Sequence, residues 1–472
     1  MRPSTYIWAL VLAVTTLLAP VHADLSFLDL DKPDTVDKAL ALIAEGLLDY
    51  YQGFTYGGTI GMFVPPYYWW HAGAAWNAMI EYWHITGNST FNNITFEAMK
   101  AQRGDKYNLM VRNYSSSEGN DDQGVWAMTM MTAAERNFTN PDDDYGWLYV
   151  AQGAFNSMAD RWDTQVCDGG LHWQIFQWNS GYDYKNAIAN GALFNLASRL
   201  YRYTGNTTYL EWAEKIWTWS EKVKIIDGGH VYDGIHLPNC SDRSPYLWTY
   251  NSGIYMSGAA SIYNATMLRN GTNATLEASV WMNRTYQLWN ADIMKGIFFG
   301  GNQSNIMVEI ACQQVTITCN QDQRTFKGIY SSLLGQTAQM MPSLAGSILS
   351  YLRPSAYAAA RTCSGGFDGH TCSINWLTGE YNVSYIGLGE QLSALEVILN
   401  TQILNSTGPL TDITGGTSKG NGSAGTQGDN PFGTSQDDAS PLDIHGGDRA
   451  GAGIITAAVG IMLILVFWFL IV

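Results

Sequence analysis

In this 472-residue chain the residues best suited to chemistry are two consecutive carboxylates in the stretch Gly119-Asn120-Asp121-Asp122-Gln123-Gly124-Val125-Trp126. Two acids at a helix start have an ordinary use, as a cap and as first-turn charge that complements the helix dipole. They also have a catalytic one. Cleaving a glycosidic bond takes two carboxyl groups, one protonated as acid and one ionised as nucleophile or base. A helix N-terminus favours the ionised form of one, and mutual repulsion raises the pKa of the other. Identical side chains thereby acquire different roles. Asn120, Gln123 and Trp126 flank the pair and are candidate ligand contacts.

These residues need elements that aim them at one place. Glycine-centred loops recur at Gly58, Gly119, Gly170, Gly229, Gly301 and Gly366, intervals of roughly 50 to 70 residues that suit a helix–loop–helix repeat. One helical pattern precedes each loop, such as 37–51 or 211–223. Another follows, such as 70–85, 186–203 or 251–267. The following helices are rich in Ala and Gly, which permits close approach, so they form an inner ring; the more charged preceding helices form an outer one. Thr86-Gly87-Asn88, Thr204-Gly205-Asn206 and Asn270-Gly271-Thr272 are short polar connectors that supply helix stops. The expected fold is an all-α (α/α)6 toroid of six helical hairpins, with little β structure, confined to the long loops.

All long loops then fall on one face, over the N-termini of the inner helices. Trp70 and His71, Tyr184, Lys185 and Asn186, and Tyr250 and Asn251 each open an inner helix and are candidate binding residues. His230 and Asp233 lie in the fourth long loop, and His172 and Trp173 follow the third. Each also has a plain use in capping, turns or packing. The run Asp142-Asp143-Asp144 suggests calcium, but its place before a helix on the connector side favours a solvated cluster. No metal site or cofactor is expected, because zinc spacings, phosphate loops and dinucleotide fingerprints are all missing from the sequence.

The consecutive Asp121-Asp122 before a Trp-bearing helix, with 184–191 (YKNAIANG) and 248–253 (WTYNSG), resembles glycoside hydrolase family 76, the endo-α-1,6-mannanases, over about residues 24–410. With the terminal signals described next, it is similar to that family's fungal cell-wall branch, the defective-in-filamentous-growth proteins. The resemblance implies a retaining α-mannosidase or transglycosidase, with Asp121 as nucleophile and Asp122 as general acid/base. It further implies an α-mannoside or GPI-core glycan as donor and wall glucan as acceptor. A purely hydrolytic endo-α-1,6-mannanase and a non-catalytic glycan-binding wall protein are the alternatives.

Composition and termini fit this. Lys+Arg 25 against Asp+Glu 41 gives −16, which disfavours nucleic acid as partner. Aromatic residues at 13% beside charged residues at 14% suit neutral polar ligands. Residues 1–23 read as a secretory signal. Residues 411–438 read as a disordered Gly/Ser/Thr/Asp stalk. Residues 439–472 read as a GPI-attachment propeptide with a hydrophobic tail, attachment falling at Asp438, with Gly433 as competitor and a tail-anchored helix as the plainer reading. The expected location is the outer face of the plasma membrane or the cell wall. Sequons stand at Asn88, Asn93, Asn113, Asn137, Asn206, Asn239, Asn264, Asn270, Asn273, Asn283, Asn302, Asn382, Asn405 and Asn421. Of the six cysteines, Cys312/Cys319 and Cys363/Cys372 are near enough for local disulfides, which leaves Cys167/Cys240.

Overall fold

A computed structural model describes residues 24–112, 116–270, 276–293, 296–300, 304–313, 316–366, 368–426 and 456. The secretory signal, Asp438 with the hydrophobic-tail assignment, and the sequons Asn113, Asn273 and Asn302 lie outside the described residues.

Twelve α-helices of ten or more residues occur among the described residues: α1 (Pro33–Leu48), α2 (Trp69–Thr86), α3 (Asn92–Ala101), α4 (Asn120–Glu135), α5 (Trp147–Ala159), α6 (Ala187–Thr204), α7 (Thr207–Lys222), α8 (Thr249–Asn270), α9 (Leu276–Ile293), α10 (Phe326–Met340), α11 (Pro342–Thr362) and α12 (Leu388–Leu399). The even-numbered helices pack in sequence, α2 on α4, α6, α8, α10 and α12, and α12 returns to α2. Each odd-numbered helix lies outside this ring, and α1 packs on both α2 and α12, closing the circle. The fold is an (α/α)6 toroid.

Close packing of the inner ring explains its glycines. A Cβ on Gly124 would come 2.5 Å from that of Ala192 on α6, and one on Gly191 would come 2.8 Å from the Tyr255 ring on α8. Gly253 meets Tyr330 of α10 at 2.8 Å in the same sense, and Gly328 meets the Ser393 backbone of α12 at 3.0 Å. Inner helices are buried nearly all round, as the fully buried faces of α6 show, whereas outer helices expose one face. Below the ring axis, Arg136 pairs with Glu81 at 3.1 Å and Arg199 with Glu135 at 2.6 Å, every partner buried. These charges close the connector end of the ring.

Strands are short. β1 (Tyr184–Asn186) pairs antiparallel with β4 (Gly234–His236), and β2 (Ile226–Asp227) with β3 (His230–Val231). Tyr184, Lys185 and Asn186 are thus strand residues rather than the opening of a helix; Asn186 ends the strand and caps α6, its Oδ1 accepting the Ala189 N–H at 3.1 Å. Disulfides join Cys167–Cys240, Cys312–Cys319 and Cys363–Cys372.

The stalk expected from residue 411 starts later. Residues 411–426 lie flat on the body: Ser418 Oγ accepts the Leu148 N–H at 2.9 Å, Asn156 donates to the Ala424 carbonyl at 2.8 Å, and Ala424 is fully buried. Low apolar content does not prevent ordering when backbone polar groups find fixed partners, and glycine lets the segment sit close, with Gly425 against Gly153.

A steric test follows from the ring. Gly124→Ala should lower stability by about 1–3 kcal/mol through overpacking. Gly346→Ala on α11, where an added Cβ meets nothing within 4 Å, should be neutral or raise stability by up to ~1 kcal/mol. Urea unfolding of the two variants makes the comparison; equal effects would mean that inner-ring contact does not govern the glycine.

Candidate active site

The six inner helices point their N-termini at one pole, and the first turn of α4 carries Asp121 and Asp122. Gly119 caps this helix: its N–H donates to Asp122 Oδ2 at 2.6 Å. With φ −91° the backbone would accept any residue. Space would not, since a Cβ would overlap Asp121 Oδ1 and lie 3.3 Å from Asp122 Oδ2. Glycine leaves room for Asp122 to fold back on the cap while Asp121 passes beside it toward Trp173.

A second segment fixes the pair from the side. The Asn120 N–H donates to the Trp173 carbonyl at 2.9 Å, and Asn120 Nδ2 to the His172 carbonyl at 2.9 Å. Trp173 Nε1 then donates to Asp121 Oδ2 at 2.8 Å. Trp173 is itself held by its N–H on the Tyr184 carbonyl at 2.7 Å and by Gly181, whose positive φ of 97° lets the backbone press against the indole. Behind this segment Lys185 Nζ donates to Asp163 Oδ2 at 2.8 Å and to the carbonyls of Val166 and Gly169, and His172 Nε2 reaches the same Asp163 oxygen at 3.0 Å.

The carboxyls open onto a cavity of about 710 Å³. Its aromatic wall includes Trp69, Trp70, Trp173, Tyr184, Trp248, Tyr250 and Phe326, with Tyr250 stacked on Phe326 at 3.8 Å. Its acids are Glu118, Asp121, Asp122, Asp233 and Asp322, and among the described residues no lysine, arginine or histidine lines it. Burial first, then the Asp122 charge, raises Asp121 well above the ordinary carboxyl range, while the Trp173 hydrogen bond opposes this. Burial pushes Asp122 up to about 7; the Gly119 N–H opposes and Asp322 adds to the rise. Glu118 is raised by burial and then by Asp122. Two repelling carboxyls in one site titrate as a unit and hold one proton between them over a broad range.

The structure brings Trp70, Asp121, Asp122, Tyr184, Asn186, Asp233 and Tyr250 to the cavity. Tyr184 donates its hydroxyl to Asp233 Oδ2 at 2.8 Å. Other sequence candidates stand behind the wall and are corrected here. Trp126 is fully buried, stacked on Trp69 and donating its indole N–H to the Trp69 carbonyl at 2.9 Å. His71 is buried against Trp70, its rings 4.0 Å apart, and burial lowers its pKa to about 4, so it stays neutral. Asn120 and Gln123 are bound from behind by the guanidinium of Arg161. Lys185 serves Asp163, Asn251 is fully buried in the first turn of α8, and His230 sits in β3 away from the lining. Glu118, Trp248, Asp322 and Phe326 were missed as lining residues. Glu118 offered a signal, an acid in the Gly119 loop; Asp322 and Phe326 lie beside a long irregular loop whose path the sequence does not reveal. Among the described residues no cluster of His, Cys, Asp and Glu could hold a metal ion.

Fold and site together define a class, the helical-toroid glycoside hydrolases, whose acid pair sits at the pole of converging inner helices. Residues 35–413 match the model of glycosyl hydrolase family 76, and the chain belongs to this family. It is 48% identical to the mannan endo-1,6-alpha-mannosidase DCW1 of Saccharomyces cerevisiae, covering 93% of each chain. It is 47% identical to the mannan endo-1,6-alpha-mannosidase DFG5 of the same yeast, covering 92% of this chain and 91% of the relative. Among solved structures it is similar to Dfg5 from Chaetomium thermophilum in complex with glucosamine. That match has a TM-score of 0.79 and 35% identity, and covers 84% of this chain and 97% of the other.

A carboxyl whose pKa is raised by folding favours the folded state only while protonated. The contribution from Asp122 is complete below about pH 4, the unfolded value, and is lost as pH rises through its folded value of about 7. Asp122→Asn should therefore gain stability over the parent at pH 8.5 and little at pH 4. Urea melts at both pH values read this out, and a pH-independent difference would contradict the assigned shift.

Proposed function

We propose that the chain is a retaining α-mannosidase for α-1,6-linked mannosides, with Asp121 as nucleophile and Asp122 as general acid/base. The observation that carries the reading is the adjacent carboxyl pair opening onto one cavity, each group held by one N–H, Asp121 by the Trp173 indole at 2.8 Å and Asp122 by the Gly119 backbone at 2.6 Å. The division of roles between them is the one the family resemblance implies. Asp122 titrates near 7, where one group can give a proton in the first step and take one in the second. Asp121 attacks the anomeric carbon as Asp122 protonates the departing oxygen, leaving a glycosyl ester on Asp121. A hydroxyl then enters, Asp122 removes its proton, and the anomeric carbon passes to it with overall retention. The names of the yeast relatives supply the α-1,6-mannan class.

The same proposal takes the incoming hydroxyl from wall glucan and the donor mannose from a GPI-core glycan, so that the enzyme moves a mannoprotein rather than consuming water. Supporting this, the cavity is large enough, at about 710 Å³, for a sugar acceptor and has aromatic faces on which one could stack. The leader and tail read from the sequence would deliver the enzyme to the outer membrane face, where both substrates meet. Phosphatidylinositol-specific lipase should then release it from cells.

Asp121→Asn and Asp122→Asn should each lower turnover on an α-1,6-mannotriose or longer substrate by about three orders of magnitude or more, with glycan affinity largely retained. For the parent, kcat/KM should fall as pH rises above about 7, because the acid form of Asp122 is lost. Proton NMR should show the α-anomer first. Near-normal turnover by both variants, or a β-anomer, would overturn the assignment; water-only products with glucan present would keep the mannosidase and remove the transfer.

A further inference from the structure

One large aromatic side chain outside the cavity has no structural reason to be where it is. Trp178 is 69% exposed, yet its ring is not loose: it stacks on Phe176 with centroids 4.6 Å apart and planes 13° from parallel. Phe176 beneath is 9% exposed and anchored in the body. The turn that carries Trp178 is fixed at both ends. Asn179 N–H donates to the Phe176 carbonyl at 3.0 Å, and Tyr182 N–H to the Asn179 carbonyl at 3.2 Å. Asn179 Nδ2 reaches across to the Ser116 carbonyl at 3.1 Å. An indole held rigid with one face in water can stack on a ligand ring at little cost in side-chain entropy.

Its place in the chain ties it to the cavity. The turn runs from Trp173 and Gln174 to Tyr184, all three of which line the cavity, and it is pinned to Ser116 beside the lining residues Ser117 and Glu118. Trp178 is four positions on from Gln174, a reach of at most about 14 Å. Its Cα therefore lies within that reach of the cavity lining, on the same loop as Trp173, which holds Asp121.

We propose that Trp178, backed by Phe176, is an outer glycan subsite: it stacks on a pyranose ring of a sugar chain that extends out of the cavity past Trp173 and Gln174. The ligand class is a neutral pyranoside chain, whose C–H face matches an indole face. The chain is either the outer part of the α-1,6-mannoside or a β-glucan, and the two are separable by experiment. This inference rests on the glycosidase reading above, but it concerns chain length and not the chemical step.

The test uses the full-length protein and Trp178→Ala, a surface change that touches neither Asp121 nor Asp122. Kinetics are measured on α-1,6-mannosides from two to six units. Parent activity on any of these supports the glycosidase reading by itself. The subsite predicts that Trp178→Ala leaves the shortest cleaved substrate unchanged and raises KM about tenfold on the longer ones, with kcat held, and that Trp178→Tyr restores most of the loss. If instead the mannoside series is unaffected while the KM for an added β-glucan oligosaccharide acceptor rises, the occupant is the glucan. Parent and Trp178→Ala curves that coincide across both series would overturn the proposal, as would an equal loss on every chain length.

Discussion

Two carboxyl groups one residue apart cannot both carry charge in a buried site without opposing each other, and the rest of this structure follows from making that arrangement tolerable. Near neutrality the pair keeps a proton because burial raises both groups, the Asp122 charge raises Asp121 further, and Asp322 adds to the rise at Asp122. What differentiates them is local. Asp122 folds back on its own helix cap, and Asp121 turns outward to an indole N–H from another hairpin. Gly119 makes this possible by leaving the volume that a methyl group would take. Without that space one carboxyl would have to leave the cap, and the asymmetry between the two would be lost.

The toroid supplies what a single helix could not. Asp121 depends on Trp173, which belongs to the following hairpin and reaches α4 through two backbone contacts at Asn120 and Gly119. Trp173 depends in turn on Tyr184 and on the buried Asp163–Lys185–His172 group behind it. These links join two consecutive hairpins, whose inner helices approach closely at Gly124. Replacing backbone-to-backbone fit with larger side chains would widen the ring and move the donor away from the acid. Ring packing and site geometry are therefore one constraint, since the helices that converge on the pole are the ones whose contacts leave no slack.

Much of this was legible in sequence because it rests on patterns that repeat. Six glycine-centred loops, Ala/Gly-rich helices after them and charged helices before them specify the hairpins, and the Asp pair announces itself by position. Other features were hidden for physical reasons. Trp126 has the type of a sugar-stacking residue, but it lies one helical turn deeper than Asp122 on nearly the same face, where Trp69 stacks over it and takes its indole N–H. His71 and Lys185 have catalytic-looking types, yet Lys185 lies in β1 and turns to the buried Asp163, and His71 is buried behind Trp70 with its Nε2 3.4 Å from the lining residue Asp322. Asp322 and Phe326 enter from a long loop with no period to read. Residues 411–426 look too polar to order, because composition counts apolar area and does not see the backbone partners that the body offers them.

The acid character of the cavity has a consequence for recognition. Glu118, Asp233 and Asp322 stand around the pair with no basic side chain among the described lining residues. Asp322 contributes to the rise at Asp122, and Asp122 to that at Glu118. An anionic ligand would meet this field unpaired and lose its own hydration on entry, which disfavours binding strongly. A neutral sugar does the opposite. It leaves the field in place and displaces water from it, so that the repulsion holding a proton on the pair grows as the site fills. The same ring of acids thus selects against charge in the ligand and keeps the proton where protonation of a departing oxygen needs it.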